Sequence, residues 1–185
     1  DILLEYAGGP EAVEKYVRGL GIENTFISAS EKTMHDRIEN QYLNRSTPTA
    51  TARLIETFFE NRLFASKYKK FLIRIMTETS TGQDKLKGLL PPDCTVGHKT
   101  GSSDRTSTGV KIADNDAGFV LTPDGKRYYI AVFVSDSQED DPTNASIIAR
   151  ISAIVYDFMI RPTDPNRPTL CHPESVSADD AAGSP

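Results

Sequence analysis

The fold is decided by the run Tyr128-Tyr129-Ile130-Ala131-Val132-Phe133-Val134, which is apolar almost throughout. A run of this length and composition predicts a strand that is covered on both faces. It is predicted to form a hairpin with residues 116–122 through Pro123-Asp124-Gly125-Lys126, in which Asp-Gly is the turn signal. Another strand is predicted at 94–102, directly after the double proline at 91–92. These segments together predict a small antiparallel sheet.

Helical patterns precede the strands. Helices are predicted to begin at Pro10, at Thr47-Pro48 and at Ser66, and residues 1–7 resemble the last turns of a helix whose beginning is missing. The helix that begins at Thr47-Pro48 carries one apolar stripe, formed by Leu54, Ile55, Phe58, Phe59 and Leu63. The segment Lys85–Leu90 is expected to form a short helical turn before the first strand.

A final helix follows the strands, and Asp141-Pro142 is predicted to cap its start. Its apolar positions predict a wide buried stripe, formed by Ile147, Ile148, Ile151, Ile154, Val155 and Phe158. Helices first, then a hairpin sheet, then one closing helix is the order of an α+β fold.

The chain divides into three predicted regions. Residues 1–90 are expected to be mainly helical, and residues 91–161 to hold the strands and the closing helix. Residues 162–185 are rich in proline and lack aromatic side chains, which predicts a disordered tail. Within the first region, residues 26–46 are polar and follow neither period, so they are predicted to form a long loop. Loops of more than about 12–15 residues in a compact domain are usually functional or disordered.

Composition excludes several classes of function. The net charge of −5 gives no electrostatic reason to expect nucleic acid or an anionic membrane as partner. No apolar run approaches the ~20 residues that a membrane span needs. Cys94 and Cys171 are too few for a disulfide scaffold and lack the spacing of a zinc site, so neither a metal nor a redox state is predicted from them.

The strongest chemical signal is His98-Lys99-Thr100-Gly101-Ser102-Ser103, which lies on the first predicted strand. The ammonium of Lys99 and the hydroxyl of Thr100 can bind a carboxylate, and Gly101 lets a substrate backbone approach closely. Taken alone, three such common residues are more often part of an ordinary surface strand.

The chain resembles the class A serine β-lactamases over most of residues 1–160. Lys99-Thr100-Gly101 is similar to the third motif of that family, on a strand ahead of a hairpin and a final helix. The segment Ser30-Glu31-Lys32-Thr33-Met34-His35 falls where the omega loop of the family carries its general-base glutamate. The resemblance implies a partial β-lactamase/transpeptidase-like fold, in which residues 26–46 are the omega loop.

The resemblance also implies roles for individual residues. Glu31 is similar to the base that activates water for deacylation, and Lys99 to the cation that attracts the substrate carboxylate. Thr100 is expected to donate a hydrogen bond to that carboxylate, with Gly101 and Ser103 beside it. The backbone N–H of Ser102 matches one oxyanion donor.

Other positions in the resemblance concern the loop. Asp1 matches a position at which the family braces its omega loop. His35 lies where many members place an asparagine that holds the hydrolytic water, and a histidine occurs there in an extended-spectrum branch. An ordinary loop histidine is an equally good interpretation of His35.

Some residues depart from the family pattern. Asn44 and Ala29 replace the charged pair that usually closes the neck of the loop, so another bracing device is predicted. Thr108 stands where arginine is common, and either Lys85 or Arg105 is predicted to supply the missing cation.

The nucleophile motif is the largest departure. Ser-Asp-Asn does not occur in the sequence, and the one Ser-x-x-Lys, Ser66-Lys67-Tyr68-Lys69, follows the omega loop, whereas the nucleophile of the family precedes it. We therefore interpret Ser66 as a surface residue.

The resemblance implies hydrolysis of β-lactam antibiotics through a serine acyl-enzyme, without metal or cofactor. The intact enzyme is expected to be monomeric, periplasmic or secreted, and to bind its small-molecule substrate without membrane or nucleic acid. Two alternatives remain open. One is a penicillin-binding transpeptidase or carboxypeptidase, which shares Lys-Thr-Gly but not the loop glutamate. The other is a catalytically inactive fragment.

Overall fold

The computed structural model describes residues 1–60 and 64–161 of the chain. The predicted tail at 162–185, Leu63 and Cys171 lie outside the described residues. The elements follow in the order α1 (Ile2–Tyr6), α2 (Pro10–Gly19), β1 (Thr25–Phe26), α3 (Glu31–Asp36), a 3-10 helix (Ile38–Tyr42), β2 (Arg45–Ser46), α4 (Pro48–Glu60), α5 (Ser66–Thr77), β3 (Thr95–Ser102), β4 (Lys111–Leu121), β5 (Arg127–Ser137) and α6 (Asp141–Ile160). The α+β order predicted from the sequence is confirmed.

The main sheet is antiparallel, with the order β3-β4-β5. The β4–β5 hairpin closes through a turn in which Gly125 has a φ of 82°, a conformation that favours glycine. β1 and β2 form a separate two-stranded sheet that joins the two ends of the predicted loop.

Helices cover both faces of the main sheet. On one face, the Phe59 ring of α4 lies 4.4 Å from the ring of Phe119 and 5.7 Å from that of Tyr129, measured between centroids. On the other face, Ile148 of α6 and Leu86, which lies in the connection between α5 and β3, are fully buried against strand residues Val96, Val120, Tyr128, Ile130 and Val132. The prediction that β5 is covered on both faces is therefore confirmed.

β4 and β5 are longer than the hydrophobic pattern indicated. The prediction placed the second strand at 116–122, but β4 begins at Lys111. The added part contains Asp114, and the adjoining Asp116 is also fully buried. Both carboxylates lie within the sheet because basic partners pair with them: Lys85 with Asp114, and His98 with Asp116. A polar residue with a buried partner breaks the apolar pattern without ending the strand.

The start of two helices agrees with the capping signals. The Thr47 hydroxyl accepts a hydrogen bond from the Ala50 amide at 3.1 Å and caps α4, as predicted. For α6 the capping residue is Asp140, whose carboxylate accepts from the Thr143 amide at 2.8 Å. The prediction of Asp141 as the cap was wrong by one residue.

The apolar stripe predicted on α6 is only partly buried. Ile148 is fully buried, and the Ser152 hydroxyl donates to the Leu86 carbonyl at 2.8 Å. The prediction of burial was wrong for four positions that are at least 38% exposed, Ile147, Ile151, Ile154 and Phe158. The reason is that the sheet contacts the helix along the line of Ala145, Ile148 and Ser152, which leaves the other side of the stripe outside the contact.

Among the described helices, α6 is the one that is long and apolar enough, by length and composition, to cross a membrane. Its apolar residues are interrupted by polar ones, so the sequence pattern alone did not indicate such a helix. In the structure, α6 packs against β4 and β5, as core helices do.

Candidate active site

A cleft of about 460 Å³ lies between the loop at 26–46 and the end of β3. Its lining includes most of the residues that the sequence analysis singled out: Glu31, His35, Lys99, Thr100, Gly101, Ser102 and Ser103. Residues that are 68 positions apart in the chain, such as Glu31 and Lys99, thus face one cleft. The structure brings these residues together, while their roles in a reaction stay predictions.

The loop itself is more regular than predicted. The sequence analysis expected irregular structure over 26–46, whereas this segment contains α3 and the 3-10 helix. The prediction failed because these elements have only six and five residues, too few to show a hydrophobic period. The start of α3 is fixed by Ser30, whose hydroxyl accepts from the Thr33 amide at 3.1 Å.

Glu31 is the first residue of α3, and its backbone is held from a distant part of the chain. The Asp1 carboxylate accepts hydrogen bonds from the Glu31 amide at 2.7 Å and from the Lys32 amide at 3.0 Å. These are two of the amides that a helix start leaves without intrahelical partners. The predicted brace at Asp1 is therefore present.

The neck of the loop is closed by Asn44. Its side-chain oxygen accepts from the amides of Ser28 and Ala29, each at 2.9 Å, and its side-chain nitrogen donates to the Ala29 carbonyl at 2.8 Å. One neutral amide thus makes three hydrogen bonds across the neck. This is the bracing device that the absence of a charged pair predicted.

Further contacts connect the loop to the helical region and the sheet. The Glu14 carboxylate on α2 accepts from the Ile27 amide at 2.7 Å. This hydrogen bond, together with Arg18, lowers the pKa of Glu14. At the other end, the Tyr42 hydroxyl donates to Asp136 on β5, and this bond raises the pKa of Tyr42.

The opposite wall of the cleft is β3. The Lys99 ammonium donates to the Thr100 carbonyl, and the Thr100 hydroxyl lies 3.1 Å from that of Thr81. The chain approaches Thr100 closely at Gly82, which has a φ of 63° and where a Cβ atom would lie 2.4 Å from the Thr100 methyl group. Thr81 and Gly82 could not be predicted as neighbours of Thr100, because they lie in the connection between α5 and β3 and belong to no recognisable motif.

Ser103 has structural contacts of its own. Its hydroxyl accepts from the Ala113 amide at 2.9 Å and donates to the Asp104 carbonyl at 2.8 Å. The side chain therefore ties the end of β3 to β4, in addition to lining the cleft.

Neither candidate for the missing cation faces the cleft freely. Lys85 is largely buried and pairs with Asp114. Arg105 donates to Asp141 at 2.6 Å and to the carbonyls of Gly109 and Glu139. Its guanidinium also lowers the pKa of Asp141. The prediction that one of the two supplements Lys99 is wrong for this structure, because both charges are engaged elsewhere.

Ser66 lies at the exposed start of α5 and is not among the residues that line the cleft. The ammonium of Lys69, the lysine of the same Ser-x-x-Lys, donates to the Phe59 carbonyl. This placement agrees with the interpretation of Ser66 as a surface residue.

The cleft residues that the sequence did not reveal include Gln41 and Asp104. They form a reciprocal pair of hydrogen bonds. The side-chain nitrogen of Gln41 donates to the Asp104 carboxylate at 3.1 Å, and the backbone N–H of Asp104 donates to the side-chain oxygen of Gln41 at 3.1 Å. Asp104 directly follows the run His98–Ser103, and that position was the one available signal. Gln41 carried none.

Comparison with known proteins assigns a family. A family model described as the beta-lactamase enzyme family matches residues 1–159. A β-lactamase of Bacteroides uniformis is 54% identical over 86% of this chain and 54% of its own length. The extended-spectrum β-lactamase PER-1 of Pseudomonas aeruginosa is 38% identical over 87% of this chain and 52% of its own length.

Solved structures agree. A class A β-lactamase from Bacteroides cellulosilyticus superimposes with a TM-score of 0.83 at 57% identity, over 86% of this chain and 57% of that one. The TLA-1 extended-spectrum β-lactamase gives a TM-score of 0.85 at 42% identity, over 87% and 58%. The chain thus spans about half the length of the curated relatives it matches.

Proposed function

The chain belongs to the class A serine β-lactamases, and from that premise we propose that it carries the deacylation base and the carboxylate-binding residues for hydrolysing β-lactam antibiotics. Glu31 is the base that activates water against the acyl-enzyme, and Lys99 with Thr100 binds the substrate carboxylate. Such hydrolysis would confer antibiotic resistance. The observation that carries the proposal is that Glu31 and His35 of the loop line the same cleft as Lys99 and Thr100 of β3.

The chemistry follows from where the groups lie. A carboxylate on a firmly capped helix start can remove a proton from water, and a positioned base contributes about 10²–10⁴-fold to such a step. Lys99 supplies positive potential on the other wall, where an anionic substrate would be attracted. The Ser102 backbone N–H is the proposed oxyanion donor. His35 is proposed to position the attacking water.

The nucleophilic serine is proposed to come from a segment of the protein outside these 185 residues. The printed chain has no Ser-Asp-Asn, and its one Ser-x-x-Lys lies outside the cleft. On its own, the printed chain should therefore form no covalent adduct with a penicillin. Mass spectrometry after mixing would test this, and an adduct on Ser66 or any other serine would contradict it.

The decisive experiment compares Glu31→Gln with Lys99→Ala in the full-length gene product. Glu31→Gln should slow deacylation by about 10²–10⁴-fold, so that acyl-enzyme accumulates in rapid-quench mass spectrometry. Lys99→Ala should lower kcat/KM without accumulation of acyl-enzyme, because it weakens binding of the substrate carboxylate and does not slow deacylation. Equal loss of both steps in Glu31→Gln, with no trapped intermediate, would favour a transpeptidase instead. A periplasmic or secreted location and a monomeric state remain predictions.

A further inference from the structure

Four polar residues that line the cleft contact one another in series, and these contacts are called the bridge below. On the omega loop, the His35 Nε2 lies 3.2 Å from the Glu31 carboxylate, one helical turn away. On its other side, the His35 Nδ1 lies 3.7 Å from the carboxylate of Asp104, which follows β3. Gln41 then holds Asp104 through the reciprocal pair of hydrogen bonds. The bridge therefore runs from the proposed base to the loop beside the substrate strand.

We propose that Asp104 is a positioning residue for deacylation, which acts on Glu31 through His35. The inference rests on the proposed function of Glu31. The Asp104 carboxylate lies beside Nδ1 at a distance beyond a hydrogen bond, so its influence on the ring is electrostatic and steric. We infer that it limits rotation of the imidazole and thereby keeps Nε2 beside the Glu31 carboxylate. Gln41 contributes by fixing the Asp104 side chain and backbone at once.

The energetic character of these contacts makes the role specific. The side chains of Glu31, His35 and Asp104 are each at least 60% exposed. Exposed pairs of this kind contribute little to the free energy of unfolding, because water screens them. Replacement of Asp104 should consequently change the position of His35 beside Glu31 and leave the free energy of unfolding almost unchanged. A displacement of about 1 Å in a reacting group can cost up to ~10²-fold in rate.

The test is steady-state kinetics of the full-length gene product with a chromogenic cephalosporin. In Asp104→Ala, kcat and KM should fall together by about tenfold while kcat/KM stays within about twofold, since slow deacylation lowers both. Gln41→Ala should give the same pattern more weakly. Asp104→Asn, which keeps an oxygen that can accept from Gln41, should recover most of kcat. Asp93→Ala, at an exposed aspartate outside the cleft, is the matched control and should change neither constant.

Different failures have different signatures. If kcat/KM falls in Asp104→Ala while kcat is unchanged, the residue contacts substrate only, and the inference is overturned. It is equally overturned if neither constant moves. If Glu31→Gln traps no acyl-enzyme, the proposed function itself has failed.

A double-mutant cycle completes the test. When Glu31 is already Gln, adding Asp104→Ala should slow deacylation no further, because residues that act as a unit are not additive. A deacylation rate in the double variant that is a further tenfold below that of Glu31→Gln would contradict the proposal that Asp104 acts through Glu31.

Discussion

The two walls of the cleft are held by different kinds of contact. The β3 wall rests on a buried layer, in which the His98 Nδ1 lies 2.8 Å from Asp116 with both side chains almost fully buried. The wall formed by the loop at 26–46 is held mainly by hydrogen bonds at partly or fully exposed positions, such as those of Asp1 and Asn44. The first wall should therefore unfold only with the whole domain, and the second should open locally.

The largest effect should come from the buried wall. Asp116→Ala leaves the buried His98 Nδ1 and the Leu86 amide without their partner, and each loss should lower the free energy of unfolding by about 1–3 kcal/mol. Urea unfolding followed by circular dichroism would measure this. Asp104→Ala removes an exposed carboxylate on the other wall and is the matched control, with little expected change. Equal destabilisation by both variants would remove the contrast between the walls.

The second effect should be local. Asn44→Ala removes three hydrogen bonds at the loop neck, a loss of about 1–3 kcal/mol that should fall on the loop. In hydrogen exchange, amides of the loop at 26–46 should exchange faster, while those of the β3–β4 ladder should not. Asn40→Ala, which removes one side-chain bond to the Thr33 carbonyl, should show the same change more weakly. Acceleration in β3 would mean that the two walls are one unit.

The third effect depends on alkaline pH. Hydrogen bonding to Asp136 raises the pKa of Tyr42, so this bond stabilises the folded loop below the unfolded phenol pKa of about 10. The contribution is lost as pH rises through the higher folded value. In tyrosine-labelled NMR titrations, Asp136→Asn should bring the pKa of Tyr42 back towards its usual range. An unchanged Tyr42 titration would show that the contact does not form in solution.

The smallest effect depends on acid. The pKa of Glu14 is lowered by the Ile27 amide and Arg18, so its contribution is present above the unfolded value and lost as pH falls through the folded one. As pH falls through that range, amides of the loop at 26–46 should exchange faster. Glu14→Gln keeps an acceptor oxygen and should abolish this pH dependence. Persistence of the dependence in Glu14→Gln would assign it to another carboxylate.

The sequence predicted the buried wall better than the exposed one. Strands, the β4–β5 turn and the α4 cap could be found because burial and backbone geometry restrict residue type locally. Asp114 misled the boundary of the second strand, since its partner Lys85 lies far away in the chain. Glu31 and Lys99 were found through motifs of the resembling family. Gln41 and Asp104 could not be, because their pairing exists only after the loop has folded against the sheet.

Asn44 has a consequence for the conditions in which the loop keeps its shape. A charged pair across the neck would weaken with added salt, since the Debye length falls from about 10 Å at 0.1 M to about 3 Å at 1 M. A neutral amide that exchanges hydrogen bonds with Ser28 and Ala29 carries no net charge to screen. The neck should therefore hold equally well in dilute and in concentrated salt.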